Sequence, residues 1–337
     1  MNNWRGKHGP FLIAEIGGNH EGNFEYAQEL LQLACDSGVD VVKFQIYTGD
    51  TLVSKIEDPD RNKHFKKFEL NPDQYIRLAK QCKNNNVLFC ASVWDVSALE
   101  WIAPYIPFFK IGSGDLTAYP ILEIITSYGK PIIMSTGLST MKEVEESVQY
   151  IQSKNEKYTN SDFLALLQCT SMYPIPPEDA NLNVMLNYKS KFNLTVGYSD
   201  HTIGNEAVET AIAMGAEIIE FHFTDKREGK TFRDHQVSFT KQEVLQLIER
   251  INVINNLKGS GDKKPLKSEI ESGHITSFRR GLYLTRDMKK GERITENNIV
   301  ALRPNHGIDA RDFNKVIGKE ITKSIKQYEK LVWDYIN

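Results

Sequence analysis

Two histidine-containing stretches, Gly197-Tyr198-Ser199-Asp200-His201-Thr202 and Glu220-Phe221-His222-Phe223-Thr224, decide how the chain folds. Each stands at the end of a short apolar run that is typical of a buried strand, 194–197 before the first and 217–220 before the second. The segment between them, 205–215, repeats apolar residues at helical spacing, so the unit is predicted to be strand, helix, strand. A right-handed crossover between parallel strands brings their carboxyl ends side by side, and the two histidines with them.

This pair of histidines predicts a metal site. Two neutral imidazoles that converge at one end of a sheet can hold a divalent ion, and imidazole suits manganese, iron, cobalt or zinc. A single histidine after a strand is more often a structural residue held by hydrogen bonds, so each one alone is weak evidence. Because His201 and His222 occupy equivalent positions in successive units, we take both as candidate metal ligands at the centre of the reaction site.

Length, composition and charge limit the possible classes of protein. The chain has 337 residues, which fits an α/β barrel of about 250 residues followed by a small module. Hydrophobic residues make up 40% and charged residues 25%, proportions that are ordinary for a globular protein with a sizeable core. The net charge of −3 gives no overall attraction to nucleic acid or to an anionic membrane, so neither is expected as a partner.

The amino terminus and the cysteines indicate a cytoplasmic protein. The first seven residues lack the apolar core of a secretory signal, and no run approaches the length of a membrane span. Cys35, Cys82, Cys90 and Cys169 are scattered without the paired spacing of a metal site. We therefore expect them to be reduced, structural thiols.

Apolar runs and amphipathic segments alternate eight times along the chain. The apolar runs are 11–16, 39–46, 87–93, 108–111, 131–135, 163–169, 194–197 and 217–221. The segments with helical periodicity are 26–37, 72–85, 96–102, 119–128, 141–152, 181–188, 205–215 and 241–257. Near-continuous apolar strands indicate a parallel sheet covered by helices on both faces. Eight such units predict a (β/α)8 TIM barrel, and since no Gly-x-Gly-x-x-Gly opens any helix, an open dinucleotide-binding sheet is less favoured.

A change of composition marks the end of the barrel. The polar stretch Lys258-Gly259-Ser260-Gly261-Asp262-Lys263-Lys264-Pro265 has the composition of a linker. We predict a catalytic barrel over residues 1–258, a linker over 259–276 and a small β-rich domain over 277–337. The last segment contains three β-like runs separated by turn signals, 281–284, 298–302 and 315–317.

Polar residues gather at the predicted carboxyl ends of the strands, where a barrel of this type builds its reaction site. They are Glu15, Lys43, Gln45, Ser92, Lys110, Ser113, Ser135, Ser171, Tyr173, Ser199, His201 and His222. Two lysines among hydroxyls and glycines suit a phosphate-bearing substrate, because cations balance its charge while hydroxyls and backbone amides bind its oxygens. A strand-end lysine can also simply reach solvent, but both lysines recur at the end that carries the metal candidates.

Three residues are candidates for acid–base work or for binding a sugar. Glu15 lies in the first strand, where a carboxylate that faces the barrel interior needs a partner. Asp234 follows the eighth strand, although an aspartate in a loop is often only a turn former. Tyr173, before Pro174, could reach a sugar hydroxyl.

Six motifs stand in order along the chain, at matching strand ends. They are Glu15-Ile16-Gly17-Gly18-Asn19-His20-Glu21-Gly22, Lys43-Phe44-Gln45, Lys110-Ile111-Gly112-Ser113-Gly114-Asp115, Ser135-Thr136-Gly137, Tyr198-Ser199-Asp200-His201-Thr202 and His222-Phe223-Thr224. This set resembles the sialic acid (N-acetylneuraminate) synthase family. Segment 277–318 is similar to the antifreeze-like (SAF) domain that ends those enzymes, and it includes Lys290-Gly291-Glu292, Ile294-Thr295, Asn298-Ile299 and Arg303-Pro304.

The resemblance implies a carbon–carbon bond-forming transferase that condenses phosphoenolpyruvate with an N-acylated hexosamine, giving a nine-carbon 2-keto acid and phosphate. It makes His201 and His222 the ligands of a divalent metal, Mn²⁺ or Mg²⁺. The residues implied to bind phosphoenolpyruvate are Lys43, Ser92, Lys110, Ser113, Ser135, Ser171 and Ser199. Those implied to face the sugar are Glu15, Gln45, Tyr173 and Asp234, of which Glu15 and Asp234 are also candidate catalytic residues. Family dimers are domain-swapped, so Arg303 of the partner subunit would reach the acylamido group of the sugar.

Several positions depart from the family pattern. The stretch Phe232-Arg233-Asp234-His235 stands where family members often read Gly-Pro-Asp-His, which places an extra cation at the sugar end. Ala91-Ser92-Val93-Trp94-Asp95 replaces a common Ser-Thr-Pro-Phe-Asp, and Ser171 replaces a frequent asparagine. After Arg303-Pro304 comes Asn305-His306-Gly307 rather than an immediate glycine. The departures concern the identity of the sugar more than the binding of phosphoenolpyruvate.

Four hypotheses follow. The first is a synthase of the N-acetylneuraminate type that uses N-acetylmannosamine. The second is a legionaminic or pseudaminic acid synthase that uses a diacetamido-trideoxyhexose, which the departure at Arg233 keeps open. The third, a metal-dependent pyruvate aldolase, is chemically close but releases no phosphate. The fourth, a catalytically silent barrel with a saccharide-binding carboxyl-terminal module, is less favoured because it has no need of buried cations.

Overall fold

The computed structural model describes residues 4–337, so the first three residues of the amino-terminal segment lie outside it. The first unit is a barrel of eight parallel strands that are added in sequence order, and the last pairs with the first to close the sheet. A short strand, β1 Arg5–Gly6, precedes the barrel and pairs antiparallel with its first strand. The eight barrel strands are β2 Gly9–Gly17, β3 Val41–Ile46, β4 Leu88–Val93, β5 Phe109–Ile111, β6 Ile132–Ser135, β7 Leu164–Cys169, β8 Thr195–Asp200 and β9 Ile218–His222. The predicted (β/α)8 barrel is confirmed.

Helices follow the strands, as the apolar periodicity predicts. They are α1 Phe24–Asp36, α2 Gly49–Leu52, α3 Pro59–Lys66, α4 Pro72–Asn84, α5 Leu99–Ile102, α6 Tyr119–Ser127, α7 Met141–Lys154, α8 Asn183–Lys191, α9 Glu206–Ala213 and α10 Lys241–Lys258. Side chains that cap free backbone N–H groups set several of their starts. Asn71 and Gln74 form a reciprocal cap at α4, as do Thr140 and Glu143 at α7. A cap of this kind stabilises a helix by about 1 kcal/mol.

Three regions of the barrel differ in detail from the predicted elements. The run predicted at 194–197 continues as β8 as far as Asp200, so Ser199 lies within the strand. The helix predicted at 96–102 begins as a 3-10 turn, Val96–Ala98, before α5. Between β3 and α4 lie α2 and α3, in a loop that carried no prediction.

A layer of apolar side chains fills the half of the barrel interior where the strands begin. Trp4, just before β1, is 1% exposed and packs edge-on against Phe11 and Phe108. Its indole N–H donates to the carbonyl oxygen of Ser161 at 2.8 Å. The other members of this layer are Ile13, Val41, Cys90, Ile133, Ala165, Leu167 and Ile218. Because apolar packing occupies this half, the polar residues of the strands have room only in the other half.

Residues 260–337 form the second compact unit. Two antiparallel strands, β10 Gly281–Leu284 and β11 Ile299–Leu302, pair over four residues. Two short helices, α11 Lys267–Glu271 and α12 His274–Ser277, lie in and next to the segment interpreted as a linker. The unit has its own apolar core, formed by Leu282, Leu284, Met288, Ile294, Ile299, Ile308, Val316, Ile321, Ile325, Leu331 and Ile336.

One predicted β-like run of this unit is wrong. Residues 315–317 do not form a strand, because the chain makes a helical turn there, α13 Phe313–Val316. Val316 is fully buried, and Phe313 packs against the same core. Residues three apart lie on one side of a helical turn, so this apolar spacing fits a turn of helix as well as a strand.

Two simpler expectations can be compared with the structure. The four cysteines are free thiols, and Cys82, Cys90 and Cys169 are buried, as expected of structural residues. Within residues 4–337, no helix is both long enough and apolar enough to cross a membrane.

Candidate active site

Seven of the predicted site residues lie at the carboxyl ends of barrel strands. They are Glu15, Lys43, Ser92, Lys110, Ser135, Ser199 and His222, and none is more than 5% exposed. The strand register explains why they meet: Glu15 pairs with Lys43 on one side and with His222 on the other, and Ser92 pairs with Lys110. Side chains at matching positions of parallel strands point to the same face. We call the space that these seven residues share the polar chamber.

Two lysines and two glutamates form a buried ion network in the polar chamber. The Lys43 ammonium group pairs with Glu15, and its Nζ lies 3.5 Å from Oε2 of Glu220. Nζ of Lys110 lies 3.4 Å from Oε1 of the same Glu220. One carboxylate therefore bridges both lysines, and when Glu15 is ionised the four formal charges cancel. This balance allows two cations to remain buried, where an unpaired charge would be very unfavourable.

Serine hydroxyls complete the hydrogen bonding of this network. Lys43 donates to Oγ of Ser92 at 3.3 Å, and Lys110 donates to Oγ of Ser135 at 2.7 Å. Ser199 donates to the bridging carboxylate at 2.9 Å. The three predicted serines thus contact the same charged groups, and each hydroxyl can rotate to donate to an anionic ligand instead.

The carboxyl groups of Glu15 and Glu220 differ in pKa. Burial opposes the ionisation of Glu220, but the ammonium groups of Lys110 and Lys43 outweigh it and lower the pKa of Glu220 to about 2. Burial raises the pKa of Glu15 to about 7 in spite of the neighbouring Lys43, and the Glu220 carboxylate adds to the rise. Glu220 is therefore a permanent anion at neutral pH, whereas Glu15 changes its protonation there.

Glu220 is a site residue that the sequence interpretation missed, although the sequence carries a signal for it. It stands two residues before His222 in β9, and residues two apart in a strand point to the same side. A carboxylate at that position, between Ile219 and Phe221, therefore faces the polar chamber with the histidine. Its two lysine partners come from β3 and β5, which approach β9 only across the closed barrel.

Ser113 and Ser171 flank a glycine after β6. The Ser113 hydroxyl accepts from the backbone N–H of Gly137 at 3.0 Å. A Cβ atom at position 137 would collide with the hydroxyl of Ser171 and would lie 2.9 Å from that of Ser113. Only glycine leaves this space open, so a bare backbone and two half-buried hydroxyls form a small polar cradle that suits phosphate oxygens.

The two histidines lie side by side, with ring centres 5.3 Å apart. Nδ1 of His201 lies 2.7 Å from the carbonyl oxygen of Thr170. Because that oxygen only accepts, Nδ1 carries a hydrogen, so the lone pair of the neutral ring is on Nε2. Burial opposes protonation of His201, but Cys169 and the bond to Thr170 outweigh it and raise the pKa of His201. Burial lowers the pKa of His222 to about 4, so its ring is neutral, and its buried Nδ1 has no hydrogen-bond partner among residues 4–337.

This pair has the donor chemistry of a divalent metal site. In the part of the chain that the structure describes, no cluster of three or more His, Cys, Asp or Glu residues could enclose a metal by itself. A cation held by His201 and His222 would therefore take further ligands from water or from a substrate.

Tyr173, Asp234 and Arg233 lie next to the histidine pair. The Tyr173 ring centre is 4.0 Å from that of His201 and 5.6 Å from that of His222. Oδ2 of Asp234 is 3.9 Å from Nδ1 of His222. The guanidinium carbon of Arg233 lies 4.1 Å from the Tyr173 ring centre, and its Nε donates to Oδ1 of Asp234 at 3.0 Å. Arg233 thus links two predicted sugar-facing residues that come from different loops.

The remaining predicted residues are Gln45 and Arg303. The side chains of Gln45 and Glu15 both pack against Gly17. A Cβ atom at that position would lie 2.8 Å from Oε1 of Glu15 and 3.2 Å from Nε2 of Gln45. Gly17 has a φ of 54°, so both the backbone and the space around it require glycine. Arg303 is exposed in the second unit, with its guanidinium carbon 5.6 Å from the Phe278 ring centre. Its contact with a sugar stays a prediction.

The loop that carries Asp234 is fastened to the loop after β2. His235 is fully buried, and its Nε2 lies 3.2 Å from Oε1 of Glu21. Asn19, also fully buried, donates to the Ser238 hydroxyl at 2.9 Å, and that hydroxyl donates to the carbonyl oxygen of Asp234 at 2.7 Å. Asn19 and His235 therefore hold the Asp234 loop in position. Both residues belong to the quoted motifs, but the sequence did not predict this role.

Replacing Glu220 by glutamine should strongly destabilise the barrel. Glu220→Gln removes the anion that bridges two buried ammonium groups, and breaking a buried ion pair in this way costs about 3–5 kcal/mol. Because its pKa is lowered from 4.5 to about 2, the carboxylate stabilises the fold above about pH 4.5, and this contribution is lost as the pH falls towards 2. Urea unfolding of the wild-type protein and of Glu220→Gln, at pH 7 and at pH 3, measures the loss of stability and its pH dependence.

The matched control is Glu146→Gln, which breaks an exposed ion pair with Lys142 on α7. Exposed pairs contribute little to stability, so this variant should unfold close to the wild-type midpoint. Equal shifts for the two variants at pH 7 would contradict the role given to the buried network.

Known proteins match the chain over nearly its whole length. Residues 30–263 match the NeuB family, and residues 279–334 match the SAF domain. The N,N'-diacetyllegionaminic acid synthase of Campylobacter jejuni is 35% identical over 332 residues, which cover 94% of this chain and 97% of that protein. The N,N'-diacetyllegionaminic acid synthase of Legionella pneumophila is 33% identical over 341 residues, which cover 97% and 94%.

A solved structure agrees with these relatives. The N-acetylneuraminic acid (sialic acid) synthetase of Leptospira borgpetersenii, in complex with citrate, is 31% identical and superposes with a TM-score of 0.73 over 79% of this chain and 91% of that one. The resemblance noted in the motifs, and the expectation of an enzyme, are thereby confirmed. The chain belongs to the NeuB family of nonulosonic acid synthases and carries a SAF domain after its barrel.

Proposed function

We propose that the protein condenses phosphoenolpyruvate with the open-chain form of an N-acylated hexosamine, and that N-acetylmannosamine is the acceptor. The products would be a nine-carbon 2-keto sugar acid, N-acetylneuraminate, and inorganic phosphate. One observation carries the proposal: two buried lysines share one carboxylate in the polar chamber, next to a pair of histidines. Membership of the NeuB family supports the same class of reaction.

Lys43 and Lys110 are the proposed anchors of phosphoenolpyruvate. Both ammonium groups are buried, so they can bind its phosphate and carboxylate without competition from bulk water. When Glu15 carries a proton, the network has one excess positive charge, which favours an incoming anion. The hydroxyls that would complete the site belong to Ser92, Ser113, Ser135, Ser171 and Ser199.

His201 and His222 are the proposed ligands of a divalent cation, Mn²⁺ or Mg²⁺. The neutral ring and unpartnered Nδ1 of His222, together with the adjacent Asp234 carboxylate, fit a cation that completes its ligands with His201, water and substrate. When bound, the cation would polarise the aldehyde oxygen of the sugar.

The residues of the chain would bring the reactants together and manage the protons. The C2=C3 π electrons of phosphoenolpyruvate would form the bond from C3 to the aldehyde carbon, whose C=O becomes a hydroxyl. Water would add to C2, and the C2–O bond to phosphate would break to leave the 2-keto group. Of the two protons lost by that water, one would leave with the phosphate and the other would restore the acid that protonates the aldehyde oxygen. Holding both substrates in one orientation supplies much of the acceleration in reactions of this type. Glu15, between Lys43 and His222 on adjacent strands, would give its proton to the oxygen of the former aldehyde. Gln45, Tyr173 and Asp234 would orient the sugar.

A diacetamido-trideoxyhexose is a second candidate acceptor, which would make the protein a legionaminic or pseudaminic acid synthase. Two relatives at 33–35% identity are named as diacetyllegionaminic acid synthases. A cytoplasmic location and a domain-swapped homodimer, with Arg303 of the partner subunit at the acylamido group, are carried forward as parts of the same proposal.

Release of phosphate tests the proposed function. The purified protein is incubated with phosphoenolpyruvate and Mn²⁺, and with N-acetylmannosamine or a diacetamido-trideoxyhexose in parallel reactions. We expect one phosphate for each 2-keto acid formed, and none when the acceptor is omitted. A further reaction replaces phosphoenolpyruvate by pyruvate. Product formation only from pyruvate would instead support the aldolase, and no reaction of phosphoenolpyruvate with any acceptor would contradict the proposal.

Glu15→Gln should remove one inflection from the pH profile of the reaction. An acid with a pKa of about 7 is half protonated near neutral pH, and glutamine cannot transfer a proton. We expect kcat to fall about 10²–10⁴-fold and the inflection near pH 7 to disappear from the residual activity. Initial rates of phosphate release from about pH 5 to pH 9 measure both effects. An unchanged inflection in Glu15→Gln would show that another group transfers the proton.

His222→Ala should weaken the binding of Mn²⁺ itself. Removing one of two imidazole ligands is expected to lower the affinity more than tenfold, because even the loss of a supporting residue costs 10–100-fold. Titration of Mn²⁺ without substrates, followed by electron paramagnetic resonance of the free ion, measures this directly. His274→Ala, which alters a histidine of the second unit, is the control and should bind like the wild-type protein. If His222→Ala bound Mn²⁺ as tightly as the wild-type protein does, His222 would not be a metal ligand.

A further inference from the structure

We propose that Cys35 and Cys82 form a reversible oxidation site, at which a peroxide converts the two thiols into a disulfide bond between α1 and α4. The inference is independent of the proposed function, because it concerns two helices that surround the barrel and not the polar chamber. It gives both cysteines a chemical role in addition to that of the structural thiols expected from the sequence.

The two cysteines lie at corresponding places on neighbouring helices. Cys35 is in the last turn of α1, and Cys82 is in the last turn of α4. Cys82 belongs to the apolar core of the barrel, and Cys35 packs against the same core. Because the last turn of a helix lacks some of its backbone hydrogen bonds, it adjusts more easily than the middle, which helps two sulfur atoms to reach bonding distance.

Side-chain hydrogen bonds hold the two helices together beside the thiols. Gln32 of α1 donates to Oδ1 of Asn85 at 3.1 Å and accepts from Nδ2 of the same asparagine at 3.2 Å. Nε2 of Gln81 on α4 also donates to Gln32, at 3.4 Å. Gln32 precedes Cys35 by three residues and Asn85 follows Cys82 by three, so each thiol lies within one turn of this contact.

The thiol groups themselves are in contact, and the contact makes them unequal. The Cys82 thiol donates a hydrogen bond to the sulfur of Cys35, which is the main reason why the pKa of Cys35 is lowered. Burial and the Asp36 carboxylate oppose this effect, while the ammonium group of Lys7 adds to it. The same hydrogen bond, together with burial, raises the pKa of Cys82. Cys35 is therefore the member that forms a thiolate, and Cys82 is the member that keeps its hydrogen.

Exposure divides the roles in the same way. Cys35 is half-buried, so a small oxidant in water reaches its sulfur, whereas Cys82 is fully buried. Cysteines that respond to oxidants typically have a low pKa, are accessible and lie next to a second cysteine that resolves the first product. Cys90 and Cys169 differ from this pattern because both are buried, the first against the carbonyl oxygen of Phe108 at 3.7 Å and the second beside the His201 ring.

The bond forms in two steps. First, the thiolate sulfur of Cys35 attacks one oxygen of hydrogen peroxide and the O–O bond breaks, which leaves a sulfenic acid on Cys35 and a hydroxide ion that takes up the proton lost by the thiol. Second, the sulfur of Cys82 attacks the sulfenic sulfur, the S–O bond breaks, and the oxygen leaves as water with the proton of the Cys82 thiol. The cysteines lose two electrons and two protons, and one peroxide becomes two waters.

The disulfide protects Cys35 from irreversible damage. A sulfenic acid that no thiol resolves reacts with more peroxide to give sulfinic acid, which ordinary thiol reductants do not reverse. A disulfide is instead restored to two thiols by exchange with a dithiol. Cys82 therefore keeps the oxidation of Cys35 reversible.

Peptide mapping of the wild-type protein tests the proposal. The folded, full-length protein is treated with hydrogen peroxide, its remaining thiols are alkylated, and the digest is analysed by mass spectrometry without reductant. We expect the peptides of Cys35 and Cys82 to be joined, and dithiothreitol to return both as free thiols. Before alkylation, the intact mass should be about 2 Da below that of the reduced protein, since one disulfide removes two hydrogens.

Two variants and a control separate the roles. In Cys82→Ala, dimedone, which reacts with sulfenic acids, should label Cys35, and longer treatment should give sulfinic acid that dithiothreitol does not reverse. In Cys35→Ala, Cys82 should stay a free thiol. Cys90→Ala removes a buried thiol outside the pair and should form the disulfide as the wild-type protein does.

The contrary outcomes concern the wild-type map, which decides the proposal even if a variant fails to fold. Cys35 and Cys82 that stay unlinked after treatment, either as free thiols or as separately oxidised residues, would overturn the inference. A disulfide that joins either of them to Cys90 or Cys169 would also overturn it. None of these results bears on the proposed function, which the release of phosphate tests separately.

Discussion

The balance of charge among Lys43, Lys110, Glu15 and Glu220 is the constraint on which the rest of the barrel depends. Two ammonium groups cannot remain buried among apolar strands unless anions lie beside them, and Glu220 supplies one anion that serves both. Glu15 supplies the second, with a pKa near neutral that makes its charge adjustable. A chamber with this composition is stable when empty and can accept an anionic substrate without exposing a bare cation, which is what a phosphoenolpyruvate site requires.

The fold provides this chamber by dividing the barrel interior into two halves. Apolar packing around Trp4 fills the half where the strands begin, and the strand register brings polar side chains together in the other half. The loops above are then fixed to one another: Asn19 and His235 hold the loop of Asp234, and Phe232 packs on the loop after β3. Elements that are far apart in sequence thus set the position of each group around the histidines.

The sequence predicted most of the fold because apolar runs of strand length and segments of helical period alternate without ambiguity. It also predicted which strand ends carry polar residues, since a parallel barrel places all of these ends together. It could not identify the partners of Glu220, because contacts across a closed barrel do not follow from neighbouring strands. The strand predicted at 315–317 was wrong because the apolar pair Phe313 and Val316, three residues apart, fits a helical turn. The contact of Arg233 with Tyr173 joins two loops, and no periodic pattern encodes such a contact.

A crystal structure of the protein with phosphoenolpyruvate and Mn²⁺ would test the central claim most directly, because it locates the substrate relative to the ion network. We expect the phosphate and carboxylate oxygens within hydrogen-bond distance of Nζ of Lys43 and of Lys110, and the metal ion between His201 and His222. A complex in which phosphoenolpyruvate binds outside the polar chamber, while both lysines keep only their glutamate partners, would contradict the claim that this network exists to receive it.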